Sequence, residues 1–378
     1  MRISPYSLTF LLYVGLLASC GGGGENESVL STQTNIPVSQ PATEDLFTVI
    51  PLETSDFASL VPLGNLNPSG HVFPTDHHYF ALTNPGTSVP VRSPGEITVE
   101  KISQMEHLTD GFIDYSLTIR LSDSVTAKFG HLSTLTSFLL NEAGTIPLGS
   151  TYTTGGKEYR YSSKSVSIDV AAGTEIGTTG VNPEMMALDF GVYDELSTPF
   201  FANPTRIESM GNYYRAVSAL DYFSEGPKAV LEGYCGNWDG MLKRTVPPLG
   251  GTLSQDIPGT AQGIWFREGK SNYPQDPHIA LVHDNVNPSI PVFSIGNSIS
   301  DLNSGTYPYT PQTSGTTNRD FGDIEANGQI YAFQSFNNGE EGTILVQLID
   351  DNTLKIERVP PTTTSPWAFT GNETLFVR

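Results

Sequence analysis

The chain has 378 residues, enough for one to three domains, with 37 Gly, 27 Pro and only 16% charged residues. No long amphipathic helical pattern runs through it, and Tyr and Phe are frequent, so composition points to a mainly β protein with many turns. A formal net charge of −21 argues against nucleic acid or an anionic membrane surface as partner, since like charges repel.

From the N-terminus, Arg2 precedes an apolar stretch, Leu8 to Leu17, too short to span a bilayer as a mature helix. Leu17-Ala18-Ser19-Cys20 follows and resembles a bacterial lipobox, in which the cysteine becomes the lipidated first residue. Residues 1–20 are thus expected to be a lipoprotein signal and residues 21–45, rich in Gly, Ser, Thr and Gln, a flexible tether. With Cys20 used as the anchor, Cys235 has no partner for an intrachain disulfide. The expected location is the cell envelope, by a lipid anchor in the membrane, and the outer membrane in a Gram-negative host because Gly21 carries no retention signal.

Residues 46–204 are dense in strand patterns. Val89-Pro90-Val91 leads through the Ser93-Pro94-Gly95-Glu96 turn into Ile97-Thr98-Val99. Tyr115 to Leu121 alternates apolar and polar residues, and Val125 to Phe129 is its expected hairpin partner. Residues 136–164 read as an insertion. Val166 to Val170 and Ala187 to Tyr193 are further strands. Ile207, Met210, Tyr214, Val217 and Leu220 fall near helical spacing, which predicts a helical connector over residues 205–245. Residues 246–378 return to β, with strands expected at 263–266, 278–283, 329–333, 343–348 and 354–358, forming a second antiparallel barrel or sandwich. No internal repeat is evident.

Three of the seven histidines lie within Gly70 to Phe80, beside Asp76. That mixture suits a metal or proton-transfer site, or else a polar turn with solvated imidazoles. Residues two apart on a strand share a face, so Asp76 and His78 pair, as do Ala187 and Asp189. In one sheet, Asp76, His78 and Asp189 would converge as ligands for zinc, with water in the fourth position. His131 would then transfer protons or steady an oxyanion. His71 is a further ligand or a partner to one. In the C-terminal region His283 and Asp284 are adjacent and face opposite ways on a strand, so no chemistry is assigned there.

The order of these segments resembles the lysostaphin-type, or LytM-type, zinc endopeptidases. The matching pieces are Asp76-His77-His78, Pro85-Gly86-Thr87, Phe129-Gly130-His131-Leu132-Ser133, Val170 to Gly180, and Ala187-Leu188-Asp189-Phe190-Gly191. The resemblance covers roughly residues 64 to 204. It implies a lysostaphin-like antiparallel sheet or hybrid-barrel domain, zinc as cofactor, and peptidoglycan or peptide as substrate. His131 matches the family's Tyr-x-His-Leu-Ser histidine. The family's His-x-x-x-Asp is absent, because His71 and Asp76 are one residue too far apart, and Ala187 and Asp189 replace the two histidines of its last motif. Two functions follow: a zinc-dependent hydrolase of cell-wall peptide bonds, or a non-catalytic lipoprotein that binds the cell wall or a partner. The anchor has its own test. Cys20→Ser should move the protein from the membrane fraction to the soluble fraction, or leave it as unprocessed precursor, on immunoblots of fractionated cells.

Overall fold

The computed structural model describes residues 45–378 apart from Gly155; the signal, Cys20 and nearly all of the tether lie outside the described residues. Among these, the first sheet holds β1 to β11: Phe57–Val61, His78–Leu82, Val89–Arg92, Ile97–His107, Phe112–Arg120, Val125–Leu135, Ser150–Thr154, Lys157–Val170, Glu175–Thr179, Ala187–Asp194 and Ala216–Val217. The main path runs β1-β2-β10-β6-β5-β4-β8-β7, with β11 beside β10 and β9 joining β3 to β6. Every pairing in it is antiparallel. The alternation of the sequence is the cause: Leu117 and Ile119 of β5, with Ala127 and Phe129 of β6, are fully buried, while Thr118 and Lys128 face outward. The expected insertion is a helix, α1 (Ser137–Ala143), followed by the β7–β8 hairpin.

Phe129 of β6 stacks on Phe190 of β10 with ring centroids 4.8 Å apart, and Phe80 of β2 lies 6.2 Å from Phe190. Truncating such a ring to alanine costs about 3–5 kcal/mol, whereas an exposed, solvent-screened ion pair such as Lys157–Asp110 contributes little. The aromatic core, not the surface charge pairs, therefore sets the phase of these strands.

The predicted single connector helix is absent. Its place is taken by α2 (Pro204–Glu208), a 3₁₀ turn (Gly211–Arg215), β11, a second 3₁₀ turn (Ala219–Tyr222) and α3 (Glu225–Glu232). Gly211 takes φ +69° and Ser218 is extended, so each stops a helix. Ile207, Met210 and Leu220 are buried as the spacing suggests, but Ile207 lies in α2, Met210 in the turn after it and Leu220 in the second 3₁₀ turn.

The second sheet holds β12 to β19: Gly263–Arg267, Ile279–His283, Pro291–Ile295, Gly305–Pro308, Tyr331–Phe333, Thr343–Asp350, Thr353–Val359 and Thr374–Val377. Its order is β15-β14-β13-β12-β19-β18-β17-β16, antiparallel throughout, an open half-barrel rather than a closed one. The expected division at residues 204 and 246 is not a seam in the core. Val72 and Phe73, Phe201 and Tyr213, and Ile264, Phe266, Ala280 and Val282 share one buried cluster. Phe73 stacks on His278 at 5.4 Å and its N–H donates to Gln275 Oε1 at 2.9 Å. The segment carrying His71 to His77 is thus held by the second sheet.

His278 Nδ1 accepts the Arg267 N–H at 3.1 Å, and its Nε2–H donates to Ser271 O at 2.9 Å. Burial holds its pKa down to about 4. A base whose folded pKa lies below its unfolded value of 6.5 stabilises the fold above pH 6.5, and that contribution is lost as pH falls through about 4. Melting temperature should therefore drop steeply between pH 6.5 and 4, and the drop should be shallower in His278→Asn, measured by calorimetry across that range.

Candidate functional site

Asp189 is the centre of the site. On β10 it stands opposite Tyr79 of β2 on one side and Gly130 of β6 on the other. Directly opposed residues share a face of the sheet, so the carboxylate sits over Gly130, where a Cβ would lie 3.2 Å from Asp189 Cβ and Oδ2. Two residues on, a Cβ at Gly191 would stand 2.6 Å from the Tyr193 hydroxyl and 3.2 Å from His77 Cβ. The two glycines clear the floor beneath the polar groups.

His131 reaches Asp189 because the strand bulges. Tyr115 pairs with Leu132 but Leu117 with Phe129, which leaves one extra residue on β6 at Gly130–His131. His131 takes φ +62°, a conformation that a non-glycine residue adopts at a cost of order 1 kcal/mol or more. The Thr179 hydroxyl of β9 holds the bulge by donating to His131 O at 2.6 Å. The Val170 to Gly180 segment, through Thr179, thus positions His131.

Two imidazoles are braced alike. His131 Nδ1 bonds Asp114 Oδ2 at 2.9 Å, and His131 Nε2 lies 3.3 Å from Asp189 Oδ2. His77 Nδ1 bonds Asp76 Oδ1 at 2.8 Å, and its Nε2 lies 3.5 Å from the same Asp189 Oδ2. The second approach is an ion pair by distance, yet His77 Nε2 makes no hydrogen bond. Asp189 Oδ1 and Asp114 Oδ1 are also buried without a hydrogen-bond partner. Burial disfavours charge on His131, but Asp189 and Asp114 outweigh it and push the pKa up to about 9. His77 is also raised, burial being outweighed by Asp189 and Asp76. Asp76 is held low: burial opposes this, and the bond to His77 prevails. Among the described residues no group of three or more His, Cys, Asp or Glu side chains is placed to hold a metal ion; His77 Nε2 and His131 Nε2 both approach Asp189 Oδ2.

Of the residues singled out in the sequence, Asp76, Asp189, His131 and His71 lie in this cluster, His71 with its ring 5.8 Å from that of His77. His78 does not, and its expected role as a ligand is corrected. It pairs with Phe190 on the core face and is fully buried. Its Nδ1–H donates to Val61 O at 3.2 Å and its Nε2 accepts the Ala219 N–H at 3.2 Å, so both ring nitrogens are used. Asp76 is also not aimed at Asp189. Its oxygens take His77 and, at 3.3 Å, the Tyr193 hydroxyl. Ala187 packs with Val61, Tyr79 and Ala81.

Sequence reasoning missed His77 and Asp114. The parity of the strand carries the signal for His77: His78 is in phase with Phe80 and Leu82, which face the core, so His77 is in phase with Tyr79 on the other face. Asp114 has no local signal, since only the bulge brings it to His131. An aromatic wall flanks the cluster, with the Tyr79 ring 4.7 Å from His77 and 4.9 Å from Trp238, which is 39% exposed.

No family model and no curated protein matches this sequence. Among solved structures, a zinc-containing peptidase from Vibrio cholerae is similar at 17% identity and a TM-score of 0.25, over 39% of this chain and 37% of that one. The match thus spans little more than a third of that protein.

The bracing of His131 is testable by itself. In metal-free protein, Asp114→Asn should lower the His131 pKa from about 9 toward 6.5, read from imidazole shifts in an NMR titration. An unmoved pKa would show that Asp114 does not hold the ring.

Proposed function

We propose that the chain is a lipid-anchored cell-envelope protein whose Asp189 cluster binds zinc and hydrolyses peptide bonds of the cell wall. The observation that carries this reading is the pair of carboxylate-braced imidazoles, both presenting Nε2 to one oxygen of Asp189. Imidazole and carboxylate are donors that zinc takes, and a buried His77 Nε2 without a hydrogen-bond partner is what a missing cation would leave. When bound, the ion supplies a Lewis acid to polarise a peptide carbonyl and acidify water. The chain's own residues do the rest. Asp76 and Asp114 fix the tautomer and direction of their imidazoles by accepting Nδ1–H. His71, partly exposed with its ring 5.8 Å from that of His77, would exchange protons with solvent. Trp238 and Tyr79 offer an apolar wall against which a substrate chain can lie.

Ala187 favours a second reading. In the resembled family that position carries an imidazole, and here it is a methyl group buried at 4% exposure. A cleft that binds cell-wall peptide without cutting it would need nothing more.

The two readings separate in one assay. Purified full-length protein in detergent, loaded with zinc, is incubated with peptidoglycan and a panel of cross-bridge peptides, and new amino termini are counted. Hydrolysis should appear, vanish on chelation, return with zinc, and fall by about 10²-fold or more in Asp189→Ala. No cleavage by zinc-loaded wild type, with peptidoglycan still pelleting the protein, would sink the hydrolase and leave the binding protein.

A further inference from the structure

We infer that the chain carries a second binding site, a cleft over β4, β8 and β7 of the first sheet that takes a neutral oligosaccharide. It stands apart from the metal reading above.

The cleft is built by strand register. Asp114 of β5 stands opposite Met105 of β4, Met105 opposite Tyr161 of β8, and Tyr161 opposite Ser150 of β7. In the adjoining row Phe112 opposes His107, His107 opposes Tyr159, and Tyr159 opposes Tyr152. Directly opposed residues share a face, as do residues two apart on a strand. Both rows therefore lie on the face where Asp114 meets His131. Neighbouring strands are about 4.8 Å apart, which sets Tyr161 roughly 10 Å from Asp114. Leu148 and its neighbours wall the cleft. The Gly149 N–H donates to Ser162 Oγ at 3.0 Å, and a Cβ at Gly149 would stand 1.7 Å from Tyr161 O, so only glycine lets this loop lie so close to β8. The space enclosed is about 550 Å³, within the range of about 300–1,000 Å³ usual for small-molecule sites.

The lining fits a sugar. Tyr152 and Tyr161 are 44% and 39% exposed, so their rings are open to a ligand. Tyr152 stacks on Tyr159 at 5.5 Å and His107 on Phe112 at 3.8 Å, which braces the row. The negative π face of such a ring attracts the weakly positive C–H face of a pyranose. Hydroxyls surround the rings: Ser150 and Ser163 line the cleft, and Tyr161 OH is fixed by Ser103 Oγ at 3.0 Å. Tyr152 OH donates to Met105 Sδ at 3.3 Å, a weak acceptor that a sugar hydroxyl would displace.

Charge and shape choose the occupant. No charged side chain lines the cleft; Lys101 approaches the Tyr161 ring only to 5.9 Å, and Glu106 and Arg160 pair at 3.0 Å on the opposite face. Burial holds the His107 pKa below the usual imidazole value, so the row is neutral at pH 7. An anionic chain is opposed by the net charge of −21. A peptide strand would add to the free edge of β7 and not lie over the face. A neutral chain with flat apolar faces and a rim of hydroxyls is an oligosaccharide.

The test titrates the full chain, in a detergent without a sugar headgroup, by calorimetry with cellotetraose, chitotetraose, tetragalacturonate and tetra-alanine. At least one of the two neutral tetrasaccharides should bind, with equal affinity in chelator and in zinc. Tyr152→Ala and Tyr161→Ala should each weaken that binding about 3- to 10-fold. Tyr152→Phe, which keeps the ring, should lose less than Tyr152→Ala. Ile349→Ala, exposed on the second sheet, should bind as wild type does. Circular dichroism verifies folding of each variant. Failure of both neutral tetrasaccharides to bind wild type would overturn the assignment, as would wild-type affinity in folded Tyr152→Ala and Tyr161→Ala, tighter binding of tetragalacturonate or tetra-alanine, or sugar binding that chelator abolishes. Sugar binding of the expected pattern by protein that takes up no zinc would uphold the cleft and remove only the metal reading.

Discussion

The pairing of β10 between β2 and β6 is the constraint from which the site follows. It sets Asp189 opposite Tyr79 and Gly130, and Phe190 opposite His78 and Phe129. A strand has period two, so a slip of one residue would send Asp189 into an aromatic core and Phe190 into the cluster. The Phe80, Phe129 and Phe190 rings forbid that slip. The polar face is thus determined by the apolar one: the carboxylate and the two imidazoles stand where they do because three phenyl groups are buried behind them.

The second sheet enters the site mechanically. Phe73 is wedged between Phe266 and His278, its N–H is taken by Gln275, and the Tyr213 hydroxyl donates to Pro74 O at 2.8 Å. Three residues later the chain delivers Asp76 and His77. An irregular segment of this kind has no ladder of its own to fix it, and the buried bonds to the C-terminal half supply the missing restraint. This gives the C-terminal region a role without requiring chemistry in it. There, His283 Nε2 lies 3.0 Å from Asp320 Oδ2 and ties two parts of that region together.

Strain is concentrated at one residue of the cluster. His131 occupies left-handed backbone inside a strand, held by the Thr179 hydroxyl and by the resumption of pairing at Leu132. The Gly180 turn that presents β9 takes φ +79° and leaves no room for a side chain beside Leu82 Cδ1 and Thr87 O. Such a backbone survives only where its surroundings over-determine it, and here they do so beside Asp114 and Asp189.

Much of the fold was legible in the chain. Alternation at Tyr115 to Leu121 and at Val125 to Phe129 was sufficient for the β5–β6 hairpin, since burial of every second residue is local information. The C-terminal strands at Gly263, Ile279, Thr343 and Leu354 were read from strand-forming runs bounded by turn residues. Helical spacing over Ile207 to Leu220 misled, because burial of residues three and four apart also arises when short turns and a strand serve two cores, Ile207 and Met210 one and Leu220 the other. For the site, the sequence by itself determined which residue types were at hand, His71, Asp76, His131 and Asp189 among them. Which of the neighbours His77 and His78 faces Asp189 was decided by tertiary pairing, because strand phase is set by the aromatic partners across the sheet. The meeting of His131 with Asp114, 17 residues away in the chain, was decided by a bulge, whose extra residue is visible only once two strands are laid side by side.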